Sequence, residues 1–179
     1  MTELSFRAAT STDVPTLVAL VTSAYRGEIS RQGWTTEADL LDGQRIDPDV
    51  LLGDIECPRS IVIIAERDSR IVACVHVADE HGSGYLGMFS VRPDGQGKGV
   101  GRQMIEEAER HVRDELQLQT MRMTVIDVRE ELIAWYERRG YVRTGIKKPF
   151  PYGDTRFGVP KRDDLRFEVL QKNLLEHAP

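Results

Sequence analysis

The chain has 179 residues, 40% of them hydrophobic and 30% charged, with a formal net charge of −5. That length suffices for one sizeable core and is short for two, and the acidic balance argues against general binding to nucleic acid or anionic membranes. Cys57 and Cys74, with His76, His81, His111 and His177, form no ligand-spaced set, so neither a metal nor a disulfide is expected. The N-terminus lacks the apolar core of a signal peptide and no apolar run approaches a membrane span, so the cytoplasm is the default location and no membrane partner is expected.

In chain order, residues 4–8 alternate like a short strand. Thr10, Ser11 and Thr12 then offer caps for a helix over 14–25, with Pro15 in its first turn and Val14, Leu17, Val18, Val21 and Tyr25 at helical spacing. Residues 26–36 break the periodicity, a second helix is expected from 36 to about 45, and Asp47-Pro48 opens a short turn reaching Gly53. Strands follow at 60–66 and 70–78, joined by a tight hairpin at Asp68-Ser69. Gly82-Ser83-Gly84 turns into a third strand over 85–91. A long helix begins at Val100, a strand spans 120–126, and a helix over 129–139 stops at Gly140. Residues 141–146 read as strand, 147–164 as an ordered loop and 165–170 as a last strand. No internal repeat or boundary interrupts the pattern, so residues 1–179 are expected to form one domain.

The strongest chemical signal lies between residues 85 and 109. An apolar strand passes through Arg92-Pro93-Asp94 into glycines at 95, 97, 99 and 101. A helix follows at once, with Val100, Met104, Ala108 and Val112 on its apolar side. Free N–H groups at a helix start, absent Cβ atoms, the helix dipole, Lys98 and Arg102 together suit a phosphate or pyrophosphate. A Walker A loop needs Ser or Thr after its lysine, whereas Gly99 follows Lys98. A dinucleotide-binding start needs a different glycine rhythm.

The pattern Val91-x-Pro93-x-x-Gln96-Gly97-x-Gly99-x-Gly101 resembles the acyl-CoA pyrophosphate loop of the GNAT acyltransferase superfamily. A second motif, Tyr136-x-x-x-Gly140-Tyr141, resembles the end of a helix in the same family. The resemblance implies an α/β fold with a mixed, mainly antiparallel central sheet flanked by helices, its strands at 85–91 and 120–126 splayed around the ligand. It also implies acetyl-CoA as acyl donor, with Gln96, Gly97, Lys98, Gly99, Val100, Gly101 and Arg102 around the pyrophosphate. Phe89, Ser90 and Val91 would lie along the pantetheine arm, with main-chain amides there facing the thioester oxygen. Arg129 stands where the family often has Asn, and either reaches a phosphate or is a solvated arginine at a helix start.

Tyr136 matches the family tyrosine that points at the cofactor sulfur. A phenol is a fitting donor to a departing thiolate. The alternative is that Tyr136 only packs beside Trp135. The general base is less defined, with Glu28, His76, Glu80 and Asp154 as candidates. By resemblance, residues 26–36 and 147–161 wall the acceptor site and supply Arg26, Glu28, Trp34 and Asp154. An acid and aromatic rings suit an amine, while arginines suit an acceptor bearing a carboxylate. The implied activity is acetyl transfer to a primary amine, of a small molecule, by direct attack in a ternary complex. Acetylation of a protein or peptide, or acyl-CoA binding without catalysis, are the alternatives, and a homodimer is allowed for.

Overall fold

The computed structural model describes residues 3–175; His177 lies outside them. It begins with β1 (Ser5–Ala8) and α1 (Val14–Tyr25), whose Pro15 sits in the first turn, where no helix hydrogen bond is lost. A short α2 (Gly27–Ser30) is followed by β2 (Leu41–Asp42) and α3 (Pro48–Glu56). The Asp47 carboxylate caps α3 by accepting from the amides of Asp49 and Val50. β3 (Ser60–Arg67) and β4 (Arg70–Glu80) form a hairpin turned by Asp68 and Ser69, at φ 52° and 59°, the left-handed pair that a two-residue turn of right-twisted strands requires. Then come β5 (Ser83–Val91), α4 (Val100–Asp114), β6 (Thr120–Ile126) and α5 (Glu130–Glu137). β7 (Val142–Pro149), β8 (Val159–Pro160) and β9 (Arg166–Asn173) complete the order.

Seven strands form one sheet in the order β1-β3-β4-β5-β6-β9-β7, and β2 pairs separately with β8. Every neighbouring pair in the large sheet is antiparallel except β5 and β6. Those two run parallel and pair only through Gly84 with Met121 and Tyr85 with Arg122. Beyond that point they part, leaving a wedge whose walls are two unpaired strand edges. Such edges are ready partners for an extended ligand. The mixed, mainly antiparallel sheet with splayed central strands is thus present.

The apolar run in β3 lacks polar alternation because both of its sides are covered. Val62 and Ile64 join a buried cluster with Leu17, Leu20 and Val21 of α1 and Leu51 of α3. Ile63 and Ala65 join the opposite one, with Met104, Ile105, Ala108 and Val112 of α4 and Ile133 of α5. Each fully buried Leu or Ile contributes about 1.5–3 kcal/mol, so both helix layers hold the sheet, and with it the wedge, in place. Among the described residues no helix is long and apolar enough to cross a membrane, and no group of three or more His, Cys, Asp and Glu could hold a metal. Both cysteines are free; Cys74 is fully buried, and burial pushes its thiol up to about 12.

Three elements differ from the sequence expectation. No helix forms over 36–45. Glu37 is drawn inward by arginines, Gly43 takes φ 76°, and Leu41 and Asp42 pair instead with Pro160 and Val159. The expected turn after Asp47 is a full helix, because its cap and Pro48 start it cleanly. β7 runs on to Pro149, well past residue 146, after a break in its register with β9 between Arg143 and Lys147.

Candidate active site

The turn between β5 and α4 builds the first wall of the site. Gly97 and Gly99 adopt φ 79° and 81°, and a Cβ at either would meet nothing within 4 Å, so open space lies above them. The amides of Gly97, Lys98 and Gly99 have no protein acceptor among the described residues. A cavity of about 330 Å³ extends from this loop to α5, lined by Gly97, Gly99, Gly101, Arg102, Trp135 and Arg139, among others. The Arg139 guanidinium lies 3.5 Å from the centre of the Trp135 ring and donates to the Trp135 carbonyl, yet its buried Nε has no partner among the described residues. Free amides, two arginines and space over glycine fit a pyrophosphate-bearing ligand.

The second wall comes from a bulge in β5. Ser90 pairs with Cys74 and Gly87 with His76, so Met88 and Phe89 together oppose the single residue Val75 of β4. Met88 takes φ 51°, unusual for a side chain that size, and the strand is re-aimed there. The Tyr25 hydroxyl donates to the Phe89 carbonyl and ties the bulge to α1. The Phe89 ring packs near Trp135 and Tyr136, with centroids 5.9 Å and 6.5 Å away.

A second cavity, of about 600 Å³, lies on the other side of this point, between β5, β6 and the 147–157 segment. Tyr25, Phe89, Leu132 and Tyr136 line both cavities, so the two meet there. Burial pushes the Tyr136 phenol well above its ordinary value, which keeps it protonated and a donor. Its hydroxyl makes no hydrogen bond to protein among the described residues.

Charge in the second cavity centres on Glu37. Its carboxylate accepts from Arg26 at 2.6 Å through one oxygen and from Arg129 at 2.9 Å through the other, and Arg45 stands 3.9 Å away. Burial opposes ionisation of Glu37, but the three guanidinium groups outweigh it and hold the carboxyl below its ordinary range. Arg129 also donates to the Thr35 carbonyl at 2.6 Å, locking α5 to the 34–37 loop. An Arg129 so engaged is neither a solvated arginine nor free for a phosphate.

The remaining expected residues are distributed unevenly. Phe89, Val91, Gln96, Gly97, Gly99, Gly101 and Arg102 line the first cavity. Ser90 and Val100 are buried, the Ser90 hydroxyl donating to the Met88 carbonyl, and Lys98 is exposed and donates to the Asp94 carbonyl. The Gln96 side chain is occupied by the amide of Trp34, the hydroxyl of Thr35 and the carbonyl of Val91. Trp34 lines the first cavity, not the acceptor side. Arg26 lines the second, bound to Glu37. Glu28 is exposed and pairs with Arg31, and Asp154 caps the next turn and pairs with Arg156; neither lines either of the two cavities. His76 also lies outside both and bonds to Ser60, while Glu80 lines the second. Tyr25, Arg45, Lys148 and Arg139 were not anticipated. Of these only Arg139 had a signal, since it stands inside the Tyr136-x-x-x-Gly140 motif, in the turn that follows α5.

A splayed sheet, a glycine loop at a helix start and a bulge beside a buried tyrosine together suit a site for an acyl-CoA. Residues 58–143 match the family model for the acetyltransferase (GNAT) domain. The S-(2-succino)cysteine N-acetyltransferase of Bacillus subtilis (strain 168) is 28% identical over 148 residues, which cover 78% of this chain and 85% of that protein. The structure superposes on an N-acetyltransferase from Staphylococcus aureus Mu50 with a TM-score of 0.72 at 10% identity, covering 97% of this chain and 99% of that one. It also superposes on yncA from Salmonella typhimurium, solved with its cofactor acetyl-CoA, with a TM-score of 0.69 at 17% identity, covering 99% and 97%. Residues 58–143 thus carry the match to the GNAT acetyltransferase domain, and the whole chain shares the fold of solved N-acetyltransferases, one of them holding acetyl-CoA.

Proposed function

We propose that this enzyme acetylates the primary amine of a small molecule by direct attack, with donor and acceptor bound together. The observation that carries this reading is the meeting of two separate cavities at Phe89 and Tyr136. Acetyl-CoA supplies an acetyl thioester, held on the loop side by the amides of Gly97 to Gly99, with Arg102 and Arg139 beside them. The acceptor enters from the second cavity. Amides freed by the bulge at Met88 and Phe89 face the thioester oxygen and stabilise the charge that builds on it. The Tyr136 hydroxyl, which has no protein acceptor among the described residues, donates to the departing sulfur. Glu80, alone among the base candidates in lining the acceptor cavity, takes the proton from the ammonium.

Direct attack is favoured over an acyl-enzyme because neither cavity is lined by a cysteine among the described residues, and the buried Cys74 thiol is kept protonated. A small acceptor is supported by the Bacillus subtilis relative, whose name gives a modified amino acid as substrate. A basic protein tail would call for an acidic groove, whereas the acceptor cavity is rich in arginine. The deciding experiment incubates the protein with acetyl-CoA and a panel of small amines and follows thiol release. Acceptor-dependent release with formation of an N-acetyl product is expected. Tight acetyl-CoA binding with no release for any amine would identify a binding module instead.

A further inference from the structure

Among the described residues, the second cavity gathers more cations than its one buried carboxylate can hydrogen-bond. Glu37 has two carboxylate oxygens, and Arg26 and Arg129 occupy one each at 2.6 Å and 2.9 Å. Arg45 is left 3.9 Å from that carboxylate, beyond hydrogen-bond distance, with a side chain only 28% exposed. It makes no hydrogen bond among the described residues, and its guanidinium rests over the Tyr25 ring, 4.9 Å from the centroid. Lys148 of β7 lines the same cavity, and no carboxylate among the described residues lies within ion-pair distance of it. A half-buried guanidinium with no hydrogen-bond acceptor, sharing one carboxylate with two other arginines, is costly unless an anion completes it, and its planar fork of donors matches a carboxylate.

We propose that Arg45 recognises a carboxylate of the acceptor, so that the acceptor is an amino acid, with Lys148 receiving a further acidic group. This rests on the acetyl-transfer reading above and narrows its substrate class. Arg45 lies on the ring whose hydroxyl holds the Phe89 carbonyl, so the proposed anion site is one aromatic ring away from the bulge. That separation suits an amine and a carboxylate carried on one small molecule. The surplus of positive charge acts twice. It attracts the acidic acceptor, and it disfavours the ammonium form of the amine, which must lose its proton before attack.

The test reads binding independently of turnover. The protein is saturated with CoA and titrated calorimetrically with N-acetyl-aspartate, N-acetyl-glutamate and N-acetyl-glycine, each against its methyl ester. The acids are expected to bind roughly 10–100-fold more tightly than the esters, the range for a charge-assisted hydrogen bond. The preference should be largest for the diacids and should shrink with added salt. Arg45→Gln should bring the ratio close to one, while Arg45→Lys should retain part of it. If Arg45→Gln does not fold, Lys148→Gln, at an exposed strand position, should still reduce the extra preference for diacids. No preference for acids in the unaltered protein overturns the proposal, as does an unchanged ratio in folded Arg45→Gln. Preferential binding of the acids without thiol release from acetyl-CoA in the presence of the parent amino acids would support the anion site while defeating the acetyl-transfer reading.

Discussion

The hydroxyl of Tyr25 donates to the main-chain carbonyl of Phe89, 64 residues away, and joins the first helix to the bulge where the two cavities meet. Tyr25→Phe removes that bond and leaves the ring in place. One hydrogen bond is worth about 1 kcal/mol, so kcat should fall roughly fivefold to tenfold as the bulge loosens. Acetyl-CoA affinity should change little, because the glycine loop is untouched. Steady-state kinetics beside calorimetry checks both, and an unchanged kcat would mean that the bulge needs no support from α1.

Glu37→Gln tests the buried charge cluster. The substitution leaves Arg26 and Arg129 without a counter-charge, an error that costs about 3–5 kcal/mol. For a chain of this size, that is a fall in Tm of about 10 °C. The wild-type carboxyl titrates below its unfolded value of 4.5, so its stabilisation is present above pH 4.5 and lost as the pH falls through the lower folded value. Urea titrations across that acid range should therefore be steeper in pH for the wild type than for Glu37→Gln.

Gly99→Asp tests the loop. Gly99 is the left-handed cap of α4 with open space above it, so the fold should survive with a modest loss of stability. Acetyl-CoA affinity should drop at least about tenfold, since a carboxylate would face the pyrophosphate. Unchanged affinity in calorimetry, with a normal circular dichroism spectrum, would remove the loop from the donor site.

Much of this was legible in the chain itself. The hairpin at Asp68-Ser69, the amphipathic helix after the glycines and Tyr136 before Gly140 are local patterns, and local patterns survive in sequence. Glu37 was not legible. Alone it reads as one more surface acid, and its partners come from positions 26, 45 and 129, with no periodicity linking them. Gln96 illustrates the opposite limit. The motif places it at a ligand loop, but its side chain fastens Trp34 and Thr35 to the end of β5. Trp34 was expected on the acceptor side for the same reason, since residues 26–36 carry no pattern that says which cavity they face.

Glu80→Gln tests the proton acceptor. A base matters most where the amine is mostly ammonium, which for an alkyl amine of pKa near 10.4 is the neutral range. The variant should lose about 10²-fold in kcat/KM near pH 7 and recover much of it near pH 10, where free amine becomes abundant. A uniform loss across pH would point to a role in binding, and no loss would leave proton removal to solvent.

Tyr136→Phe tests the central claim most directly. The hydroxyl has no protein partner to lose among the described residues, and the ring still packs against Trp135 and Tyr141, with centroids 5.1 Å and 5.7 Å away, so the fold should be kept. Because burial holds the phenol protonated throughout the working range, the variant's pH profile should keep the wild-type shape at reduced height. Thiol release from acetyl-CoA in the presence of saturating amine should fall by roughly 10²–10⁴-fold, with donor affinity nearly unchanged. Wild-type turnover in a folded Tyr136→Phe protein would contradict the account, because the leaving sulfur would then need no donor at the point where the two cavities meet.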